Sequence, residues 1–266
     1  IVTHTAALRA MNLSAGLTNV TINANEIANI RNTTASSFIS GQGIFIAGTG
    51  TVNATITNNT IYGIAGGLGS GTIANNQWGI IVSTGNGYQI YYNSISMTNN
   101  SVATSSTDRH GCIALNSAAS TGLDIRNNNL SVTMAPGNAT LGNVVCINSL
   151  VTAPANFTDI NYNNYYGTGT RFGVGFMTTI RTTLADWQTA TTKDANSINT
   201  NPLFASSTSN LRVGSSSLCL NAATPIGTVL TDAVGDLRSA LTPTIGAYEA
   251  PLDLSDAGVT IVYTMG

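Results

Sequence analysis

The stretch ITNNTI, residues 56–61, places two adjacent asparagines between isoleucines. Asparagine is unfavourable inside helices and inside strands, so the stretch reads as a turn between two short strands. It also recurs. INANEI begins at Ile22, IYYNSI at Ile90, IRNNNL at Ile125 and INYNNY at Ile160, and with Ile56 in its place the offsets are 34, 34, 35 and 35 residues. The shared pattern is I-x-x-N-x-(I/L/Y), with Asn25, Asn59, Asn93, Asn128 and Asn163 at the constant position. A fixed period of this length signals a repeat architecture.

Between the copies lies a second motif: GIFI (43–46), GIIV (79–82), CIAL (112–115), VVCI (144–147) and GVGF (173–176). Each is a short alternating strand, so every period holds at least two strands separated by turns rich in Gly, Asn, Ser and Thr. The pattern predicts an all-β protein, a solenoid whose coils of about 34 residues each supply a strand to two or three parallel sheets. Coils then stack at the ordinary strand spacing of about 4.8 Å. Ile22, Ile56, Ile90, Ile125 and Ile160 form one inward column, and Ile27, Ile61, Ile95, Leu130 and Tyr165 a second. The five asparagines are expected to tolerate left-handed backbone at the turn and to pair amide to amide as a ladder.

The composition narrows the partners. Charged residues make up 8% of the 266, the net charge is −2 and the pI is near 5.5, while 42% of residues are hydrophobic. Nucleic acid is not an expected partner, because the basic footprint it needs is missing. No apolar run approaches the roughly 20 residues of a membrane span. The chain opens at Ile1 and reads as a segment of a longer precursor. Three cysteines are too few for a disulfide framework. The strand alignment sets Cys112 and Cys146 outward on neighbouring coils and offset by two, about 8 Å apart, which predicts no bridge between them.

The alternation of G-I-x-h with I-x-x-N-x-I over residues 10–180 resembles the right-handed parallel β-helix family of secreted bacterial proteins, related in fold to pectate lyases. LADWQTATTKDANSINTNPLF (184–204), LRVGSSSLCLNAA (211–223) and DAVGDLR (232–238) with IGAYE (245–249) resemble that family's closing segment. The resemblance implies coils over 1–180 and a cap over 181–249 with a short helix near Trp187. In the cap, Asp232 is a motif residue and Arg238 pairs with Glu249. It also implies a large Bacteroidetes surface protein, exported by that group's type 9 secretion system. Residues 250–266 read as a linker and the first strand of a following β domain.

Chemistry is sparse. The outward residues of the G-I strand are expected to be Phe45, Ile81, Ala114, Cys146 and Gly175, none of them catalytic, on a face covered by the insertions or by a neighbouring domain of the same chain. The Asn-motif strand presents a polar face, where Gln89, Tyr91 and Arg126 offer sugar contacts. Asp124 and Asp159 sit there on adjacent coils, close enough to share a proton or hold Ca2+. Asp108, Arg109 and His110 form the one local set of carboxylate, cation and base, but neighbours in extended chain do not converge. Two functions follow as expectations. The first is a non-catalytic structural or adhesive module, extracellular or on the bacterial outer surface, that meets polysaccharide or other surface proteins and needs no cofactor. The second is a polysaccharide lyase or glycoside hydrolase working at Asp108–His110 or at Asp124 and Asp159. A threonine ice-binding face is weak, since Gln89 interrupts the pair Thr21 and Thr55.

Overall fold

A computed structural model describes residues 8–32, 40–66, 72–101, 103–135 and 140–249; the expected linker and following strand over 250–266 lie outside the described residues. The described chain is a parallel β-solenoid of about four turns. Successive strands add in parallel register along the axis, and the one α-helix among the described residues is Leu184–Thr191.

The register follows the repeat. Ile22 lies beside Ile56, Ile56 beside Ile90, Ile90 beside Ile125 and Ile125 beside Ile160. Ile27, Ile61, Ile95, Leu130 and Tyr165 stack in the same way on the second sheet. All ten are buried. Each fully buried isoleucine contributes about 1.5–3 kcal/mol, and a stack of such layers is what lets a chain with so few charges hold together.

On the G-I strand the expected register fails at the fourth and fifth coils. Ala114 lies beside Asn148, and Asn148 beside Phe176. The repeating units there are CINS (146–149) and VGFM (174–177), in place of VVCI and GVGF. The outward column is therefore Phe45, Ile81, Ala114, Asn148 and Phe176. Cys146 falls inward, on the same level as Cys112, and both thiols are buried in the main core. The expected two-residue offset was wrong. The cysteines are nonetheless free; their sulfurs face carbonyls of the opposite sheet, Ser131 O at 3.6 Å for Cys112 and Leu130 O at 3.5 Å for Cys146. The slip has a simple origin: Asn143–Ser149 is apolar and buried over most of its length, so alternation cannot set its phase.

The outward column is covered, as its apolar character requires. Ile73, from the insertion before Trp78, packs with Trp78, Ile81 and Phe45, and the Trp78 indole donates to Ile73 O at 2.9 Å. Arg9 lies 3.4 Å over the Phe45 ring and Arg109 lies 3.7 Å over Phe176.

The segment after residue 181 does two separate jobs. Residues 184–198 close the last coil. The Trp187 ring lies where a Cβ on Gly175 would sit, 2.4 Å away, so glycine is required there. Asp194 accepts hydrogen bonds from Trp187 Nε1 at 2.6 Å, from Tyr165 Oη at 2.7 Å and from Ser197 Oγ. A capping box between Thr183 and Asp186 starts the helix. Residues 214–249 do not lie over that end. They run back along the Asn turns: Thr224 meets Asn127, Thr231 meets Asn58, and Gly246 donates its amide to Asn127 O. This part of the expected cap is a lateral strap.

Candidate functional site

The turn that carries ITNNTI divides its work between two adjacent residues. The left-handed position belongs to Ala24, Asn58, Tyr92, Asn127 and Tyr162, with φ between 52° and 62°. The ladder asparagines follow it and are free of that constraint. The expectation that the ladder residues themselves take left-handed backbone is thus corrected, and Asn58 is not incidental. From Asn59 to Asn163 each ladder Oδ1 accepts from both the backbone amide and the Nδ2 of the asparagine one coil earlier. Asn59 donates both to Asn93 Oδ1, at 3.0 and 2.9 Å, and Asn93 and Asn128 repeat the pattern with the next coil. Asn25 donates likewise to Asn59. The last rung ends on a substitute, the hydroxyl of Ser197, which accepts from Asn163 N at 2.8 Å.

Beside the ladder, the polar face assembles as the repeat places it. Gln89 lies beside Asp124 and Asp124 beside Asp159, while Tyr91 lies beside Arg126. Arg126 grips Asp124 with two nitrogens, each at 2.7 Å, and the Tyr91 hydroxyl donates to the same carboxylate at 2.6 Å. Asp159 is 3.9 Å from Arg126 and is the more exposed of the two aspartates. Burial, and then the bond to Asp124, push the Tyr91 phenol well above its usual range. A cation entering between the two carboxylates would have to displace Arg126. Among the described residues no three His, Cys, Asp or Glu side chains gather as a metal-ligating group.

Asp108, Arg109 and His110 do not converge. The Asp108 carboxylate accepts from the backbone amides of Thr104 and Ser105 and shapes its own loop. Arg109 turns to Asn148 and the Phe176 ring. His110 is fully buried, with Nδ1 accepting from Gln77 N at 3.2 Å. Burial lowers its pKa to about 4, against a small opposing pull from Asp108.

Asp232, Arg238 and Glu249 do meet, inside the strap. Arg238 pairs with Glu249 at 3.2 Å and lies 3.8 Å over the Tyr92 ring, while Asp232 accepts from Glu249 N at 2.9 Å. Arg238 also reaches the solenoid itself, donating to Asn58 Oδ1 at 2.7 Å. Sequence reasoning missed Asn58 as a latch; the signal was its place at the left-handed turn, where its side chain faces outward along the strap. Compared with known proteins, the chain matches no family model, no curated protein and no solved structure.

Proposed function

We propose that the protein is a non-catalytic structural and adhesive module of a large secreted or cell-surface bacterial protein, in contact with extracellular polysaccharide. The observation that carries this reading is the state of Asp124. Its carboxylate already accepts three hydrogen bonds from Arg126 and Tyr91. A general base must be open to the proton it removes, and a hydrolase needs two carboxyl groups facing one bond; here Arg126 occupies the space that chemistry would use. The buried His110 is no better placed. The bacterial surface setting and the Bacteroidetes export route rest on the sequence resemblance alone.

The test is incubation with neutral and uronic-acid polysaccharides. The expected outcome is binding without new reducing ends or unsaturated products. Turnover that disappears in Asp124→Ala or His110→Ala overturns the reading in favour of a lyase or glycosidase.

A further inference from the structure

The strap and the polar face enclose a cleft of about 350 Å³, within the size range of small-ligand sites. Its floor is Thr21, Asn23, Thr55 and Gln89, and its wall is the strap at residues 228–231. None of the lining residues carries a formal charge.

The hydrogen bonds within the floor leave a definite pattern. Arg238 has only donors, so Asn58 must turn its Oδ1 to Arg238 and its Nδ2 outward. That Nδ2 donates to Asn23 Oδ1 at 3.0 Å and to Thr231 O at 3.0 Å. Asn23 Oδ1 also receives the Thr57 hydroxyl at 2.8 Å, so the acceptor side of Asn23 is used up and its amide donors remain. Gln89 repeats this two coils further on: its Oε1 receives the Thr55 hydroxyl at 3.2 Å, leaving Nε2 for a ligand. The cleft floor therefore presents uncharged groups, the amide donors of Asn23 and Gln89 beside the hydroxyls of Thr21 and Thr55. On its wall stands Leu230, 66% exposed, which gives the cleft an apolar side.

Neutral donors opposite one aliphatic surface match a pyranose ring, whose hydroxyl edge accepts hydrogen bonds and whose C–H face is apolar. We infer that this cleft is a binding subsite for a neutral saccharide, contacted by Asn23, Gln89 and Leu230, with Asn58 and Arg238 as positioning residues. The inference rests on the polysaccharide-contacting reading above and sharpens it, since it moves the contact away from the hydrogen-bonded triad of Tyr91, Asp124 and Arg126. The two faces of the site come from segments more than a hundred residues apart, so the strap completes a site that the solenoid only begins.

The experiment is calorimetric titration of the full chain with neutral hexasaccharides of glucose, mannose and N-acetylglucosamine, and with hexagalacturonate. The variants are Gln89→Leu and Leu230→Asp, both at exposed positions that do not support the core. Wild-type protein is expected to bind at least one neutral probe, and each variant to weaken it about tenfold, the effect of one lost contact. Equal binding by wild type and both variants, binding of hexagalacturonate alone, or no binding overturns the cleft assignment. Release of reducing ends from a probe whose binding both variants weaken overturns the non-catalytic reading and keeps the cleft.

Discussion

Arg238 Nη2 donates to Asn58 Oδ1 at 2.7 Å across 180 residues of chain. Through this bond the strap's buried ion pair is tied to the turn of the second coil. Arg238 also donates to the carbonyls of Gly246 and Ala247, so it organises the strap before joining it to the solenoid. Its side chain is 2% exposed. Removal leaves Glu249 buried and unpaired, a loss of about 3–5 kcal/mol. Arg238→Ala is expected to lower stability by that amount in urea unfolding and to expose residues 214–249 to protease while the coils stay resistant. Arg238→Lys keeps the charge but lacks the fork of donors, and is expected to recover only part of the loss.

The ladder predicts a positional contrast. Asn93→Ala removes donors to Ile56 O and Asn128 Oδ1, and it leaves the Asn59 amide groups without their acceptor. The expected cost is about 3 kcal/mol, since buried groups are orphaned on both sides. Asn25→Ala, at the half-buried first rung whose own Oδ1 no described rung fills, is expected to cost about 1 kcal/mol or less. Denaturant midpoints of the two variants decide this.

Acid should weaken the fold through His110. Its folded pKa is about 4, below the ordinary 6.5. Between those values the unfolded chain binds the proton and the folded chain does not, so stability is full above pH 6.5 and falls as pH drops towards 4. The loss over that window is of the order of 3 kcal/mol. His110→Gln is expected to flatten this part of the pH–stability curve relative to wild type.

The thiols should be silent until the protein unfolds. Cys112, Cys146 and Cys219 are all free and buried, and burial raises each thiol, that of Cys219 to about 11. Reaction with an aromatic disulfide reagent is expected to give no titre on the native protein and three thiols in denaturant. Prompt native-state labelling of Cys112 or Cys146 would contradict the inward register, and that of Cys219 the packing of the strap.

Gly175→Val should unseat the closing helix. A Cβ there lies 2.4 Å from the Trp187 ring. The expected result is a red-shifted tryptophan emission and loss of several kcal/mol, as for overpacking in a filled core.

Much of this architecture was legible because stacking turns chemistry into period. The isoleucine columns, the ladder and the register of Gln89, Asp124 and Asp159 all follow from one aligned hexapeptide. The slip at Cys146 occurred where neighbouring residues are uniformly apolar, so that no face is distinguished. The path of residues 214–249 was hidden for another reason. The strap is held by turn backbone, by single polar contacts such as Thr224 with Asn127, and by Cys219, Ala223, Ile226, Val229 and Ile245 packed against Tyr91 and Tyr92, none of which leaves a repeating trace in a sequence. The cleft needed both halves to be placed before its lining residues had anything in common.

The ladder has a polarity, and mechanical behaviour follows from it. From Asn25 to Asn128 each rung gives its backbone N–H and one Nδ2 hydrogen to the next coil, and from Asn59 onward Nδ2 also reaches back to an isoleucine carbonyl of the coil before. The series ends on Ser197, whose hydroxyl bonds Asp194, the acceptor of the Trp187 indole. Any break between coils orphans donors on both sides of it, so the ladder bonds alone favour neither direction; the ends differ, because Asn25 Oδ1 is filled by no described rung while Asn163 N is held by Ser197 and, through Asp194, by Trp187. Buried N–H groups tolerate isolation less well than carbonyl oxygens. The rod therefore has a soft end and a hard end. Pulled along its axis, it should unzip from the Asn25 side, coil by coil, while the Trp187 side keeps its grip.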